Sequence, residues 1–516
     1  MNIFLILWKE VVGKNIRNLK SMLVNSRLRW LRYYGFGFLG CILITFLASI
    51  PVSGMIFFPA LDGPDHWAMV QVIIETIKGQ NPGWELVFIP AYKLFYLINA
   101  PLFFFSGLVG FTPKAFPSLS ISLLQFIFSV LVGLKLIHAL DLYSEKRKAL
   151  SYILGISLSL FLTLFASLSL YSGAFYWGFI PFLFSVPFAV VTIMVFEECI
   201  IVLNKSNLFL LFCLLFLSYT AHPYSLIFLT IWVLIRMLVF YILEFAKGSK
   251  ITLISFKPFA SFFTIVLILA TLHHISLPKV AGIDFYKLAK ALLDPFHPPH
   301  VVYGYLEAMF LRAYGFTPGT AFKPEFYSLT GLILILGSLL LNFCFGGWRN
   351  RNFQTCITAI LFLIVIASFV DDIIPSHYPF GVYFRDRLIT IVFPIVFTLA
   401  GYSLISNREI MRKWIIVVPI LIIVGFGSLY HIRTLSLDFS RFDMISREIY
   451  REMMSRPNMT DREIDNIYHR NGFRYWVGYH FSKYACIHEG ICRDKLFHET
   501  YPDFGIFPLK PKKEIR

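Results

Sequence analysis

The chain has 516 residues, of which 57% are hydrophobic, 18% aromatic and only 15% charged, against about 25% charged in soluble domains. Lys and Arg number 46 against 30 Asp and Glu, a net charge of +16. This balance excludes a soluble multidomain enzyme, a free nucleic-acid binder and a disordered chain, and leaves a polytopic membrane protein whose cationic excess collects in cytoplasmic loops.

Residues 1–35 carry Lys9, Lys14, Arg17, Lys20, Arg27, Arg29 and Arg32 against a lone Glu10. They read as a cytoplasmic helix on the membrane surface, since the apolar stretch Ile3–Trp8 is too short for a signal-peptide core. Eleven apolar runs follow, at 36–58, 117–138, 150–171, 175–197, 207–221, 224–243, 258–275, 327–345, 354–370, 387–404 and 414–430. The runs are continuous, without the alternation of a barrel strand, so the expected fold is all-α with about eleven transmembrane helices. The transmembrane domain covers 36–430, and a small polar segment covers 431–516.

With the N-terminus inside, every predicted inside loop is basic, as orientation requires. These loops hold Lys146-Arg147-Lys148, then Lys205, then Lys247 with Lys250 and Lys257, then Arg349 with Arg351, then Arg408 with Arg412-Lys413. The agreement requires that 86–111 does not cross. That segment contains Pro90, Lys93, Asn99, Pro101 and Gly107, and reads as a broken helix in the outer interface.

Four outer pieces result: 59–116, 276–326, 371–386 and the tail. The tail has a helical run around Asp443–Arg456, and Thr460-Asp461-Arg462-Glu463 has capping-box spacing for another helix. Cys41, Cys199, Cys213, Cys344 and Cys356 lie in or beside spans, where Cys is a small apolar residue. Cys486 and Cys492 lie in the outer tail. Outside the cytosol they are expected to form a disulfide. The weaker alternative is a metal pair with His488, which lacks a second Cys/His pair at zinc-site spacing.

The chemistry-bearing residues begin directly after the first span, in Asp62-Gly63-Pro64-Asp65-His66-Trp67. Gly63-Pro64 predicts a turn between the carboxylates. Asp65 then caps an amphipathic helix marked by Val70, Ile73, Ile74 and Ile77. A turn and a cap account for both acids without chemistry. A carboxylate at a water–lipid boundary is also what a general base for a sugar hydroxyl requires, and Asp62 and Asp65 fit that need equally.

A first span, an acidic motif at its outer end, interfacial helices and a long run of spans resemble the GT-C superfamily of membrane glycosyltransferases. The segment Asp62–His66, followed by Gly79-Gln80-Asn81-Pro82-Gly83-Trp84 and Phe103–Phe111, is similar to the first-loop pattern of that superfamily. His222-Pro223 and Arg385-Asp386-Arg387 with Pro394 resemble bacterial GT-C-like membrane proteins. The resemblance covers 36–430 as architecture and leaves 431–516 unmatched. It implies a bacterial inner (plasma) membrane enzyme that transfers a sugar from a polyprenyl-phosphate donor to a glycan, lipid or protein acceptor. Asp62 or Asp65 would be the base, and Arg385 and Arg387 would receive the donor phosphate. The alternative for the two Arg is interfacial anchoring or pairing with Asp371, Asp372 or Asp386.

Other candidate substrate contacts are His66, His222 where two spans meet, and His297 and His300 in the Pro-rich loop Asp294-Pro-Phe-His-Pro-Pro-His. Pro298-Pro299 removes the helical geometry that would pair the two His on a metal, so no metal site is assigned, although a divalent cofactor stays open. The membrane lipid is a partner and nucleic acid is not. Two rival readings remain. One is a transporter of lipid-linked substrates, which needs ionisable residues at mid-span depth. The other is a non-catalytic assembly factor, which needs no outer cluster of acids and Arg.

Overall fold

Long apolar runs become helices because a bilayer offers no partner for a free backbone N–H or C=O, and a helix satisfies both internally. The computed structural model describes residues 35–58, 63–80, 84–86, 93–142, 149–171, 175, 180–246, 248, 253–276, 326–348, 350–368, 384–456, 460–471 and 509–511. The helices are α1 (Phe36–Ser49), α2 (Gly63–Ile77), α3 (Leu94–Leu108), α4 (Phe116–Leu142), α5 (Ala149–Leu168), α6 (Ile180–Leu183), α7 (Val186–Ile201), α8 (Lys205–Ala221) and α9 (Tyr224–Ala246). They continue as α10 (Leu253–Ser276), α11 (Phe326–Gly346), α12 (Arg351–Ser368), α13 (Phe384–Ser406), α14 (Arg408–Met411), α15 (Trp414–Ser455) and α16 (Asp461–Arg470). Among the described residues the one sheet is an antiparallel pair, β1 (Trp84–Leu86) with β2 (Leu509–Pro511), in the register Glu85 to Lys510.

Among the described residues seven helical stretches are long and apolar enough to cross a membrane: Pro113–Leu140, Ile153–Tyr171, Ile180–Ile201, Tyr224–Ala246, Phe326–Gly346, Arg351–Ser368 and Trp414–Glu452. Shorter apolar helices occupy Phe36–Val52, Leu94–Leu108, Lys205–Ala221, Phe256–Leu272 and Val392–Ser406. Large apolar side chains on these helices face outward, among them Phe36, Leu43, Phe46, Phe209, Leu267, Leu340, Ile422 and Phe426. A water-soluble surface does not carry apolar area on this scale. The protein is an all-α integral membrane protein.

The bundle is centred on α7, whose residues from Val186 to Glu197 are all buried. The sheath includes α4, α8, α9 and α13, all packed against it. Small residues allow close approach of helix axes. At Gly133 of α4, an added Cβ would come within 2.7 Å of Cys41 Sγ on α1. Cys41, Cys199 and Cys356 are buried free thiols, as their positions in apolar runs imply.

Three elements differ from the sequence expectation. First, α2 begins at Gly63, so Gly63-Pro64 is helix rather than turn and Asp65 is a first-turn residue rather than the cap. Proline suits a first turn because its missing N–H has no intrahelical partner there. Second, Pro101 does not break α3, which runs unbroken over Leu94–Leu108. Third, the helix of the last apolar run does not stop at 430. α15 has 42 residues, about 63 Å at 1.5 Å per residue, twice the ~30 Å hydrocarbon core. The expected boundary at 430/431 falls inside this one helix. The capping box at Thr460 is present, with reciprocal bonds between Thr460 and Glu463. The Thr460 backbone N–H and hydroxyl hold the Glu463 carboxyl below its usual range.

Candidate functional site

After α1 the chain makes a short 3-10 turn over Ile50–Val52 and reverses at Gly54, whose φ of +74° is a left-handed conformation that glycine adopts without cost. Phe57 and Phe58 then turn inward and are buried. The Phe58 ring lies 5.4 Å from the indole of Trp67, which is fully buried on α2. Val70, Ile73 and Ile74 bury the same helix further along, while Ile77 is exposed.

This seating places His66 against α3. Its Nδ1 is 2.9 Å from the Tyr96 hydroxyl, and its ring meets Phe95 edge-on at 6.1 Å. Phe95 in turn packs edge-on against Phe184, next to α6, at 5.2 Å. On α6 itself, Phe182 packs edge-on against His222 at 4.9 Å. His222 follows α8, and its Nδ1 accepts the backbone N–H of Tyr224 at 3.3 Å. A neutral imidazole accepting at Nδ1 carries its proton on Nε2. The elements α2, α3, α6 and α8 pack on one another, so His66 and His222 lie on neighbouring elements of one aromatic-lined corner.

Lys93 completes it. Its backbone N–H donates to Thr220 O at 2.9 Å, tying the start of α3 to the end of α8 two residues before His222. Its side chain is 5% exposed, and burial pushes the amine down to about 7. The fold thus disfavours the protonated form. Between pH 7 and 10.5 the unfolded chain binds more protons, and stability rises with pH across that window. The unfolding midpoint of the native protein, relative to Lys93→Met, is expected to climb from pH 7 to about pH 9. A difference that stays flat over that range would contradict this placement of the amine.

Asp65 lies in the first turn of α2, beside His66 in sequence. The backbone of Arg385 and Arg387 opens α13. The side chains of Asp65, Arg385 and Arg387 lie outside the described set, as do Asp62, His297, His300, Cys486 and Cys492 altogether. Among the described residues no group of three or more His, Cys, Asp or Glu side chains is placed to hold a metal.

A second polar cluster escaped the sequence reading. Glu197 of α7 and Arg236 of α9 form a forked ion pair, Nε to Oε1 at 2.8 Å and Nη2 to Oε2 at 3.3 Å. Both side chains are buried. Arg351 Nη2 and the Thr355 hydroxyl reach Oε2 from α12 at 3.5 and 3.4 Å, and Gln354 Oε1 accepts from Arg236 Nη1 at 3.5 Å. Next to it Lys135 of α4 pairs with Glu198 at 2.6 Å. The available signal was Arg236, a lone cation inside an apolar run, which polar residues rarely occupy without a partner. No protein-family model matches the chain, and no curated protein does.

Proposed function

We propose that the protein is a GT-C-like glycosyltransferase of about eleven spans, with the N-terminus cytoplasmic and the C-terminus extracytoplasmic in a bacterial plasma membrane. The observation that carries the reading is the cluster directly beyond α1. The helix bearing Asp65 and His66 is packed with Tyr96, Lys93 and His222 into one aromatic-lined corner of the bundle. The topology reading draws on contacts at the two ends. Beyond the C-terminal end of α1, Ile56 and Phe57 meet Asp443 of α15, and the Val52 carbonyl meets Ser118 near the start of α4. At the other end Lys135 late in α4, Glu197 and Glu198 late in α7, and Arg351 at the start of α12 come together. If α1, α8, α10 and α13 cross along with the seven longer helices, the directions alternate and α3 stays in the interface.

In this reading a carboxylate, Asp62 or Asp65, takes the proton of an acceptor hydroxyl. The acceptor oxygen attacks the anomeric carbon, and the bond from that carbon to the phosphate oxygen breaks. Polyprenyl phosphate leaves with the bonding pair, and the anomeric centre inverts. Arg385 or Arg387 offsets the charge on the leaving phosphate, with His66, His222, His297 and His300 as further contacts to the sugar or phosphate. The direct test is purified protein given a panel of polyprenyl-phosphate hexoses and pentoses with labelled sugars, and envelope lipids and glycans as acceptors. Transfer of label supports the reading, and none from any donor rejects it.

An outer tail also implies an oxidising setting for Cys486 and Cys492. Maleimide labelling of unreduced protein in intact cells is expected to leave both thiols unmodified, and reduction is expected to expose both. Labelling without reduction rejects the disulfide. The buried pair Glu197 and Arg236 favours a second reading, a transporter of lipid-linked substrates, because ionisable groups within spans commonly mark a translocation path.

A further inference from the structure

The outer extension of α15 is longer than crossing requires, and one of its faces is spent on the first outer loop, which starts just after the first helical stretch ends at Val52 rather than at residue 59. Asp443, Arg447 and Tyr450 recur at four- and three-residue spacing, which puts them on one side of a helix. The Asp443 carboxylate is nearly buried. Its Oδ1 accepts the backbone N–H of Ile56 at 3.0 Å and of Phe57 at 2.8 Å. Its Oδ2 accepts from Arg447, with Nε at 2.8 Å and Nη2 at 2.7 Å. Arg447 Nη2 also donates to the carbonyl of Gly54 at 3.2 Å. The Tyr450 ring meets Phe57 at 5.6 Å. Three successive positions of α15 thus grip residues 54–57, and the next ring, Phe58, abuts Trp67 beside His66. Further along, β2 near the C-terminus pairs with β1 of the same loop. The C-terminal segment therefore meets the first outer loop at two separate places.

We propose that the outer extension of α15 is a cradle for the first outer loop, and that Asp443 is a positioning residue for the Asp65–His66 end of α2. The clause about catalysis rests on the glycosyl-transfer reading, and the positional claim does not. The carboxylate supplies two charge-assisted bonds to adjacent backbone amides, a stronger and more directional hold than apolar contact gives. It fixes where the chain leaves the membrane, hence where α2 starts.

The test uses the full-length protein in lipid nanodiscs, comparing Asp443→Asn, Asp443→Glu and Arg447→Gln with the native chain. Arg447 is 38% exposed at its side chain, so its replacement leaves no buried void and serves if Asp443→Asn fails to fold. Amide exchange in peptides covering 53–58 and 63–70 is expected to speed up by about tenfold or more in Asp443→Asn, and by less in Arg447→Gln and Asp443→Glu, with α7 peptides unchanged. Turnover is expected to fall while donor KM holds, since a misplaced base slows chemistry without weakening donor binding. Faster exchange at 53–58 alone, with 63–70 unmoved, overturns Asp443 as a positioning residue for α2, and unchanged exchange at 53–58 overturns the cradle. If the native protein transfers no sugar, the enzymatic reading fails, and the exchange comparison still decides the positional claim.

Discussion

Asp65→Asn and Asp62→Asn are expected to differ. The variant that removes the base should lose sugar transfer by about a hundred- to ten-thousand-fold, the range of general-base contributions, and the other should lose far less. Asp65 sits in the first turn of α2, at the positive end of the helix dipole, which favours an ionised carboxylate. That is the form a base needs before it takes a proton. The neighbouring His66 is fixed by Tyr96 at 2.9 Å, so this turn is held in one orientation.

Neither substitution should unfold the protein. A first-turn carboxylate contributes up to about 1 kcal/mol through the helix dipole, and α2 is held by Trp67, Val70, Ile73 and Ile74, all buried. The measurement is transfer rate beside thermal midpoint for each variant. If both variants keep native transfer, neither acid carries chemistry, and an assembly role becomes the better account. If both lose transfer only in proportion to a lowered midpoint, the loss is structural.

Most helices were legible because burial in lipid demands continuous apolar runs, and such runs stand out from composition alone. The sequence also supplied the capping box at Thr460, a local pattern within four residues. What it did not supply depends on distant pairs. Nothing in the sequence around Asp443 shows that its carboxylate will meet amides 386 and 387 positions earlier. The last run looked finished at 430 because hydropathy falls there, yet helix propensity and backbone bonding continue to Ser455. Gly63-Pro64 has the composition of a turn, but Pro also suits a helix first turn, and here the pair opens a helix whose Trp67 is buried. For the candidate site, the sequence reads His66 with the acidic motif beside it and His222 at the meeting of two spans, with nothing to join them. Their kinship emerges through Phe95, Phe182 and Phe184, aromatic residues that look like ordinary core.

Breaking the buried ion pair is expected to produce the largest loss of stability. Glu197→Gln leaves Arg236, with 1% of its side chain exposed, without its carboxylate and beside Arg351, a second cation that reaches the same Glu197 oxygen in the native chain. Removing one member of a buried pair costs about 3–5 kcal/mol, enough to consume much of a typical folding stability of about 5–15 kcal/mol. Arg236→Leu should cost less, because Arg351 still reaches Glu197 at 3.5 Å and is itself 27% exposed, so it can follow the carboxylate without leaving water. The double variant Glu197→Leu with Arg236→Leu should recover most of the loss, since two apolar side chains in place of a satisfied pair are often neutral. Thermal unfolding of the native chain, Glu197→Leu, Arg236→Leu and the double variant in one detergent gives the cycle. Single variants that both stay near the native midpoint would show that water or lipid headgroups reach the pair. The double variant also separates the two functional readings. With the fold recovered, a glycosyltransferase whose chemistry lies beyond α1 keeps its transfer rate, because Glu197 and Arg236 take no part in it. A transporter that moves substrate past an ionisable pair loses its transport even though its midpoint is restored.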